Sequence, residues 1–320
     1  MMEKVRAGVV GVGHMGRYHV GVYSELFNVE LAGVVDQDLQ RARQVAGQYG
    51  TTAYRDAADL IGRVDVVSIA VPTLQHYDVA RPFLEAGVHV LLEKPITNTL
   101  QEAQELFRIA QERGVVLHVG HVERFNGAVQ ELKKIVANPI FIECHRLGPF
   151  EPRIRDDGVV LDLMIHDIDI VLNLVGSPVA SMHVVGSSVM GRREDLANVQ
   201  MKFANGCLAS ITASRVTQNK VRAMAITQPD AYIFLNFTDQ DIRVYRQASS
   251  EHVLSRTELR YKQESLIERI FVHRDNPLKS EIKHLLDCAT NSAPRAVSVD
   301  EELYSLQIAL DILAQLARDR

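Results

Sequence analysis

The sequence predicts an α/β chain that begins with a doubly wound parallel sheet and continues into an α+β domain with a large open, mainly antiparallel sheet. Between Arg6 and Gly120, short apolar runs alternate with helical patterns, which is typical of parallel βαβ units. After Gly120, strand patterns follow one another with turns between them. The 320 residues are too many for one ordinary core. We therefore expect two domains, residues 1–121 and 122–320, with a ligand cleft between them.

Local signals support the predicted elements of the first domain. A capping box begins one helix, because the Thr99 hydroxyl is expected to accept from a first-turn amide while Glu102 reaches back to the Thr99 amide. Gly114, after Arg113, ends the same helix. The predicted strands are residues 6–10, 30–35, 64–71, 89–92 and 115–119.

The second domain combines a helix pattern with a series of strands. Asn205-Gly206 separates two of the strand patterns, and this dipeptide is a strong hairpin signal because both residues tolerate positive φ. A helix over residues 161–174 ends at Gly176, and the last helix covers residues 299–317. The predicted strands are residues 180–188, 196–203, 207–214, 221–227, 231–237 and 242–245.

Composition and charge exclude several classes of protein. The formal net charge of −5 and the pI near 6.2 give no overall electrostatic reason to bind nucleic acid, although a small phosphate-bearing substrate is compatible with them. The three cysteines are too widely spaced for a disulfide framework or a CxxC metal pair. No signal peptide and no apolar run of about 18 residues is present. We expect a soluble cytoplasmic protein without a membrane partner.

A glycine motif predicts a dinucleotide site in the first domain. Gly11-x-Gly13-x-x-Gly16 stands between a strand pattern and a helix pattern, which is the context that a Rossmann fingerprint requires. Gly11 permits a tight turn, Gly13 lets a pyrophosphate approach, and Gly16 lets helix and strand pack closely. His14 and Met15 lie inside the motif and are further cofactor candidates. A glycine turn that binds no ligand is the alternative.

Asp36 strengthens the cofactor prediction. It follows Gly16 by twenty residues and ends the second strand, where a carboxylate accepts both ribose hydroxyls and repels a 2′-phosphate. No arginine follows it immediately, so we predict NAD rather than NADP as the cofactor. A helix-capping role for Asp36 is the alternative. Pro72, Thr73 and His76, after the third strand, are weaker candidates for the wall of the cofactor site.

Two further segments carry groups suited to alcohol oxidation. Glu93-Lys94-Pro95 follows a strand, so the Lys94 ammonium is expected at the carboxyl edge of the sheet, where it can stabilise an alkoxide and contact both cofactor and substrate. Asp162 and His166 lie four residues apart on one helix face, so Asp162 can orient the imidazole that takes the hydroxyl proton. Taken singly, each is more often an ordinary surface residue.

Together these motifs resemble the Gfo/Idh/MocA family, which includes glucose-fructose oxidoreductase and inositol dehydrogenase. The resemblance covers nearly the whole chain and includes Gly120-His121-Val122-Glu123-Arg124-Phe125-Asn126 and the segment 157–169. It implies a Rossmann domain, a catalytic trio at Lys94, Asp162 and His166, and a cis peptide before Pro95. It also implies a homodimer or homotetramer formed through the open sheet of the second domain.

The same resemblance suggests a substrate. The chain looks like the branch that oxidises the 3-hydroxyl of UDP-N-acetylglucosamine, which implies a role in making lipopolysaccharide or lipid A sugars. Arg124, Arg146 and Arg153 are candidates for charge-assisted contacts to the substrate, together with the catalytic trio. A free inositol or simple sugar is the alternative substrate, and an NAD-binding regulator is the alternative of another class. No closed four-ligand spacing appears, so we predict no metal.

Overall fold

The computed structural model describes residues 4–150, 157–247, 265–290 and 292–318. The strands are Val5–Val10 (β1), Val29–Val35 (β2), Ala53–Tyr54 (β3), Val66–Ile69 (β4), His89–Glu93 (β5), Leu117–Gly120 (β6), Phe141–Leu147 (β7), Val179–Ser187 (β8), Leu196–Phe203 (β9), Leu208–Ser214 (β10), Val221–Gln228 (β11), Ala231–Asn236 (β12), Asp241–Gln247 (β13) and Ser265–Ile270 (β14). The helices are His14–Glu25 (α1), Leu39–Tyr49 (α2), His76–Glu85 (α3), Leu100–Arg113 (α4), Gly127–Ile135 (α5), Ile165–Val175 (α6), Pro277–Ala289 (α7) and Val299–Arg318 (α8).

The first sheet is the predicted doubly wound parallel sheet. Its six strands are parallel and lie in the order β3-β2-β1-β4-β5-β6, so the chain reverses direction across the sheet next to β1. Two buried clusters cover its faces. Phe83 and Leu106, from α3 and α4, pack with Leu92, whereas Tyr23, from α1, packs in the other cluster with Leu91. The carboxyl ends of β1, β2 and β4 therefore share one edge of the sheet.

The chain divides into two compact units. The first unit contains residues 1–125 and 275–310, and the second contains residues 126–274 and 311–320. Residues 275–310 join the first unit because Leu278, Ile282 and Leu285 of α7 are buried in the cluster that also contains α1 side chains. The domain bounds given by the sequence analysis, residues 1–121 and 122–320, stay a prediction.

The ends of α4 show how far local signals determine local structure. The Thr99 hydroxyl accepts from the Glu102 amide as predicted, at 3.3 Å. The Glu102 carboxylate accepts from the Thr99 hydroxyl at 2.9 Å, where the prediction had it accept from the Thr99 amide. Gly114 ends the helix at a φ of 66°, as expected of a residue without a Cβ.

The second sheet has eight strands in the order β14-β13-β12-β11-β7-β10-β9-β8. All neighbouring pairs are antiparallel except β7 and β10, which are parallel. The predicted hairpin joins β9 and β10, with Gly206 at a φ of 91°. Strands β7 and β14 were not predicted. Strand β7 is central, but its sequence lacks a clean alternation, because the charged Arg146 is buried while the apolar Phe141 and Leu147 lie in the outward row. Its partners also lie far away in sequence.

The two faces of this sheet differ in burial. One register row, formed by Met201, Ala209, Ile142, Ile226, Ile233 and Val244, is buried, and α5 and α6 pack on this side. The neighbouring row points the other way and includes Leu208, Phe141, Tyr232 and Ile267, which are 46%, 37%, 43% and 56% exposed. The second unit therefore presents a sheet face with a row of exposed apolar side chains.

Candidate functional site

The glycine loop between β1 and α1 has the geometry that its sequence predicts. Gly11 has a φ of 83°, and a Cβ added there would lie 2.7 Å from the Ala70 carbonyl oxygen. A Cβ at Gly16 would lie 1.8 Å from the Gly11 carbonyl oxygen. A Cβ at Gly13 would meet no atom within 4 Å. Gly11 and Gly16 therefore shape the loop, while Gly13 leaves its outer side open beside the start of α1.

Asp36 lies at the end of β2 and is directed to this loop. Its carboxylate accepts from the Val12 amide at 3.0 Å and from the Asp38 amide at 2.9 Å. It does not cap α2, because Asp38 is the N-cap residue and accepts from the first-turn amides. Arg41 approaches Asp36 to 3.3 Å. The alternative role for Asp36 as a helix cap is therefore excluded.

A cavity of about 890 Å³ joins the glycine loop to Asp36. Five of the predicted cofactor residues line it: Gly11, Gly13, Met15, Asp36 and Pro72. Two cationic side chains that the sequence analysis did not select, Arg41 and Arg55, line it as well. An open backbone at a helix start, with a carboxylate at the far end, is the arrangement that a dinucleotide requires.

The remaining predicted cofactor residues are not among the residues that line this cavity. His14 is exposed, and its ring contacts that of Tyr18 at a centroid distance of 5.2 Å. Thr73 begins a short 3₁₀ turn, Thr73–Gln75. His76 is 1% exposed, and its ring nitrogens lie 2.8 Å from the Pro95 carbonyl oxygen and 2.9 Å from that of Val71. Burial lowers the pKa of His76.

Lys94 follows β5 at the carboxyl edge of the first sheet, as predicted, and is partly exposed. The Lys94-Pro95 peptide is cis, which confirms the expectation drawn from the family resemblance. Glu93 is 8% exposed, and its carboxylate lies 2.9 Å from Nε2 of His19. Burial alone raises the pKa of Glu93, but its interactions with His19 and with Lys94 outweigh burial and lower it. Glu93 is thus a buried carboxylate.

Asp162 and His166 lie at the start of a helix with an irregular first turn. Residues Val160–Met164 form a π turn that leads directly into α6. Four apolar side chains of this segment are buried: Leu161, Ile165, Ile168 and Leu172. A π turn differs from the regular α-helical spacing assumed for the pair, and such turns are frequent at functional sites. The orientation of His166 by Asp162 stays a prediction.

Contacts within the second unit hold this helix start. Glu194 accepts from the Val159 amide through its carbonyl oxygen at 3.0 Å, and from the Val160 amide through Oε1 at 3.3 Å. An added Cβ at Gly158 would lie 1.8 Å from the Glu194 Oε1, so a larger residue there would displace the Glu194 carboxylate from its contact with the Val160 amide. Asp162 lies 3.6 Å from the guanidinium of Arg215, a partner that the sequence did not reveal.

The predicted substrate arginines occupy buried ion pairs. Arg124 is 5% exposed and donates to both carboxylate oxygens of Glu302, at 2.7 and 2.9 Å. Arg146 is 2% exposed and donates to both oxygens of Asp167, at 2.9 and 2.7 Å. Each pair lies within one unit and gives the arginine a structural role. Arg153 lies outside the described residues, and substrate binding by all three stays a prediction.

One cluster has the composition of a metal site. Among the described residues, His118, His284 and Cys288 each place one potential ligand atom within 4.8 Å of the others. Two of these ligand atoms already form hydrogen bonds with backbone groups. The Ala296 amide donates to Nε2 of His284, and the Cys288 thiol donates to the Pro294 carbonyl. His284 and Cys288 therefore already have hydrogen-bond partners, and the prediction that the chain binds no metal stays untested.

His118 itself is strongly perturbed. Burial, followed by the positive charge of Arg295 and the proximity of His284 and Arg124, lowers its pKa to about 3. The Arg295 guanidinium is fixed nearby, since it donates to the Leu117 carbonyl at 2.6 Å. The imidazole is consequently neutral over the physiological pH range.

Comparison with known proteins supplies the family. A profile described as the oxidoreductase family with NAD-binding Rossmann fold matches residues 5–121, and a profile for the GFO/IDH/MocA C-terminal domain matches residues 137–233. The UDP-N-acetylglucosamine 3-dehydrogenase of Acidithiobacillus ferrooxidans is 39% identical over 78% of this chain and 79% of its own length.

The chain belongs to the Gfo/Idh/MocA family of NAD-binding oxidoreductases. The structure of the Acidithiobacillus ferrooxidans UDP-N-acetylglucosamine 3-dehydrogenase, GnnA, superposes with a TM-score of 0.89 at 33% identity and covers 99% of both chains. The scyllo-inositol 2-dehydrogenase (NAD(+)) of Bacillus subtilis is 24% identical over 97% of this chain and 93% of its own length.

Family membership confirms several sequence predictions. The resemblance, the α/β fold with a Rossmann sheet, the oxidoreductase class and NAD as cofactor are all borne out. Sugar and cyclitol dehydrogenases among the relatives agree with a small-molecule substrate. None of the helices in the described parts of the chain is both long and apolar enough to cross a membrane.

Proposed function

We propose that this protein is an NAD-dependent dehydrogenase of a nucleotide sugar, and that it oxidises UDP-N-acetylglucosamine at carbon 3. The observation that carries the proposal is its 39% identity over most of its length with a UDP-N-acetylglucosamine 3-dehydrogenase. A cofactor cavity lined by Asp36, and a lysine at the carboxyl edge of the same sheet, support it. A role in lipopolysaccharide or lipid A sugar synthesis is part of this proposal.

The first unit holds the cofactor in this proposal. Backbone amides at Gly11, Gly13 and the start of α1 bind the pyrophosphate, and Asp36 accepts from the ribose hydroxyls. Met15 and Pro72 line the cavity. The proposed cofactor-binding set is completed by His14, Gly16, Thr73, His76, Glu93 and Lys94. When bound, NAD supplies a nicotinamide ring that accepts hydride from the substrate carbon.

Three side chains of the chain perform the proton chemistry. The Lys94 ammonium donates a hydrogen bond to the substrate oxygen and stabilises its developing negative charge. His166 accepts the hydroxyl proton through its imidazole, and Asp162 orients that ring and stabilises its charged form. The π turn at Asp162, and the contact of its carboxylate with Arg215, support a specialised role for this helix start.

Variants of Lys94 and His166 test this mechanism. Lys94→Met and His166→Asn should each lower kcat by about 100-fold or more, because each removes a group that acts on the reacting oxygen, while NAD affinity changes little. Lys283→Met and His183→Asn are matched controls, since both wild-type side chains are exposed and lie in the same units as their counterparts. Turnover that is unchanged in Lys94→Met and His166→Asn would exclude the mechanism.

The substrate is tested separately from the mechanism. The purified protein is incubated with NAD and a panel of UDP sugars, free sugars and inositols while NADH absorbance is followed. Oxidation that requires the UDP group supports the nucleotide-sugar assignment. The 24% identity with a scyllo-inositol 2-dehydrogenase makes an inositol the second candidate, and oxidation of free inositol with none of UDP-N-acetylglucosamine would favour it. No NADH with any substrate would favour an NAD-binding regulator.

We also propose that the open face of the second sheet forms a homodimer or homotetramer. Its exposed row, with Phe141, Leu208, Tyr232 and Ile267, is an apolar patch of the kind that self-association covers. The double variant Phe141→Glu with Leu208→Glu should shift the mass measured by light scattering toward the monomer. A cytoplasmic location agrees with the three free cysteines, which are all buried.

A further inference from the structure

A line of buried hydrogen bonds connects α1 with the residue before Lys94. The Tyr23 hydroxyl lies 2.9 Å from the Ser68 hydroxyl, which lies 3.0 Å from Nδ1 of His19. Nε2 of His19 lies 2.9 Å from the Glu93 carboxylate. Tyr23, Ser68 and His19 are at most 1% exposed. Four polar side chains from three elements are thus joined inside the core of the first unit.

The buried carboxylate of Glu93 accepts the hydrogen bond from His19. A carboxylate has no proton to donate, so Nε2 of His19 donates to it at 2.9 Å. On the other side of the ring, Nδ1 lies 3.0 Å from the Ser68 hydroxyl, which also contacts the Tyr23 hydroxyl at 2.9 Å. Hydrogen bonds at both ring nitrogens hold the His19 ring in one orientation.

Glu93 is also confined on its other side. It pairs with Gly120 across β5 and β6, and a Cβ added to Gly120 would lie 3.0 Å from its Oε2. The same Oε2 accepts from the backbone amide of Lys94 at 3.3 Å. The carboxylate therefore connects His19 to the backbone of Lys94 and is confined on the side that faces Gly120.

We propose that His19 is a positioning residue that sets the placement of Lys94 through Glu93. His19 comes three residues after Gly16 on α1, so the helix that begins at the cofactor loop also holds the lysine segment. The inference deepens the proposed function, because it rests on Lys94 acting on the substrate. A histidine that only fills the core would tolerate any side chain of similar volume.

Three substitutions at one position separate positioning from packing. In His19→Gln the side-chain amide nitrogen reaches the place of Nε2 and keeps the donor to Glu93. In His19→Asn the shorter amide reaches only the place of Nδ1, so Glu93 loses its partner. His19→Leu keeps most of the volume and removes both hydrogen bonds. His183→Leu, at an exposed histidine on β8, is the matched control.

The expected result is a rescue by the longer amide alone. His19→Leu and His19→Asn should lower kcat by about 10-fold to 100-fold, because a catalytic group misplaced by up to about 1 Å costs this much. The KM for NAD should change by less than about twofold. His19→Gln should stay within about threefold of the wild type. Equal kcat for the Gln and Asn variants, or a KM for NAD that rises as much as kcat falls, would overturn the proposal.

A second measurement does not depend on the sugar. The rate at which an amine-selective acetylating reagent modifies Lys94 is followed by peptide mass spectrometry, with Lys283 as the exposed reference. Release of Glu93 in His19→Leu lets the carboxylate turn toward the ammonium, so acetylation should slow by about threefold or more, and His19→Gln should restore it. An unchanged rate in His19→Leu refutes the proposal. If the rate changes but no sugar is oxidised by the wild type, the proposed function fails while the positioning role stands.

Discussion

Alanine substitutions at Gly13 and at Gly16, the second and third glycines of the loop, should separate folding from cofactor binding. At Gly16 an added methyl would lie 1.8 Å from the Gly11 carbonyl oxygen, 1.2 Å short of the closest contact that real Cβ atoms make, 3.0 Å. The backbone has to move, and overpacking of this kind costs about 1–3 kcal/mol. At Gly13 the methyl meets no atom within 4 Å. Gly13→Ala should therefore leave the free energy of unfolding almost unchanged.

The two variants should nevertheless share a defect in NAD binding. In Gly13→Ala the methyl occupies the open side of the loop that the pyrophosphate approaches, so the Kd should rise by about tenfold or more, which is about 1.4 kcal/mol. In Gly16→Ala the displaced loop also weakens binding, and each kcal/mol lost lowers Tm by about 2–4 °C for a unit of this size.

Thermal unfolding without cofactor and fluorescence titration with NADH measure the two effects. Gly47→Ala is the matched control, because Gly47 is exposed within α2 and its added methyl also meets no atom within 4 Å. This change should stabilise the protein by about 0.5–1 kcal/mol and leave the Kd unchanged. The reasoning is refuted if Gly13→Ala binds NADH as tightly as the wild type, or if Gly16→Ala keeps the wild-type Tm.

Three further predictions concern charged and titratable groups. Asp36→Ser should raise kcat/KM for NADP relative to NAD by about tenfold or more, because it removes the carboxylate that repels a 2′-phosphate and leaves Arg41 to bind that phosphate. An unchanged ratio would count against a role of Asp36 in selecting NAD over NADP. The folded pKa of His118, about 3, lies below the unfolded value of about 6.5, so its contribution to stability is complete above pH 6.5 and falls as the pH drops toward 3. His118 should lower the unfolding free energy of the wild type by about 2 kcal/mol between pH 7 and pH 5, and His118→Gln should lack this loss. An equal pH dependence of stability in the two proteins would contradict the lowered pKa of His118. Arg124→Met should cost about 3–5 kcal/mol in chemical denaturation, since it removes the bidentate partner of the buried Glu302 carboxylate and leaves that carboxylate to the longer contacts of Arg295, at 3.8 Å, and His121, at 4.0 Å. A loss below about 1 kcal/mol would mean that the pair contributes little.

Local patterns in the sequence determined the elements whose causes are local. The glycine spacing, the strand rhythm of the first sheet, the Thr99 cap and the Asn205-Gly206 hairpin each depend on neighbours within a few residues. Their predicted bounds agree with the structure to within a few residues. Asp36 was identified for the same reason, because the length of one βα unit fixes its distance from the loop.

Tertiary structure decided which distant side chains meet. Arg124 and Glu302 are 178 residues apart, and His19 and Glu93 are 74 apart, so no periodicity links them. A buried charge or imidazole must find a partner, but only the packing of α8, which carries Glu302, and of α1, which carries His19, against the first sheet determines which partner it finds. Local sequence patterns therefore predicted the cofactor loop and the family. Packing in the folded core determined that the candidate substrate residues Arg124 and Arg146 form buried ion pairs, and that His19 contacts Glu93.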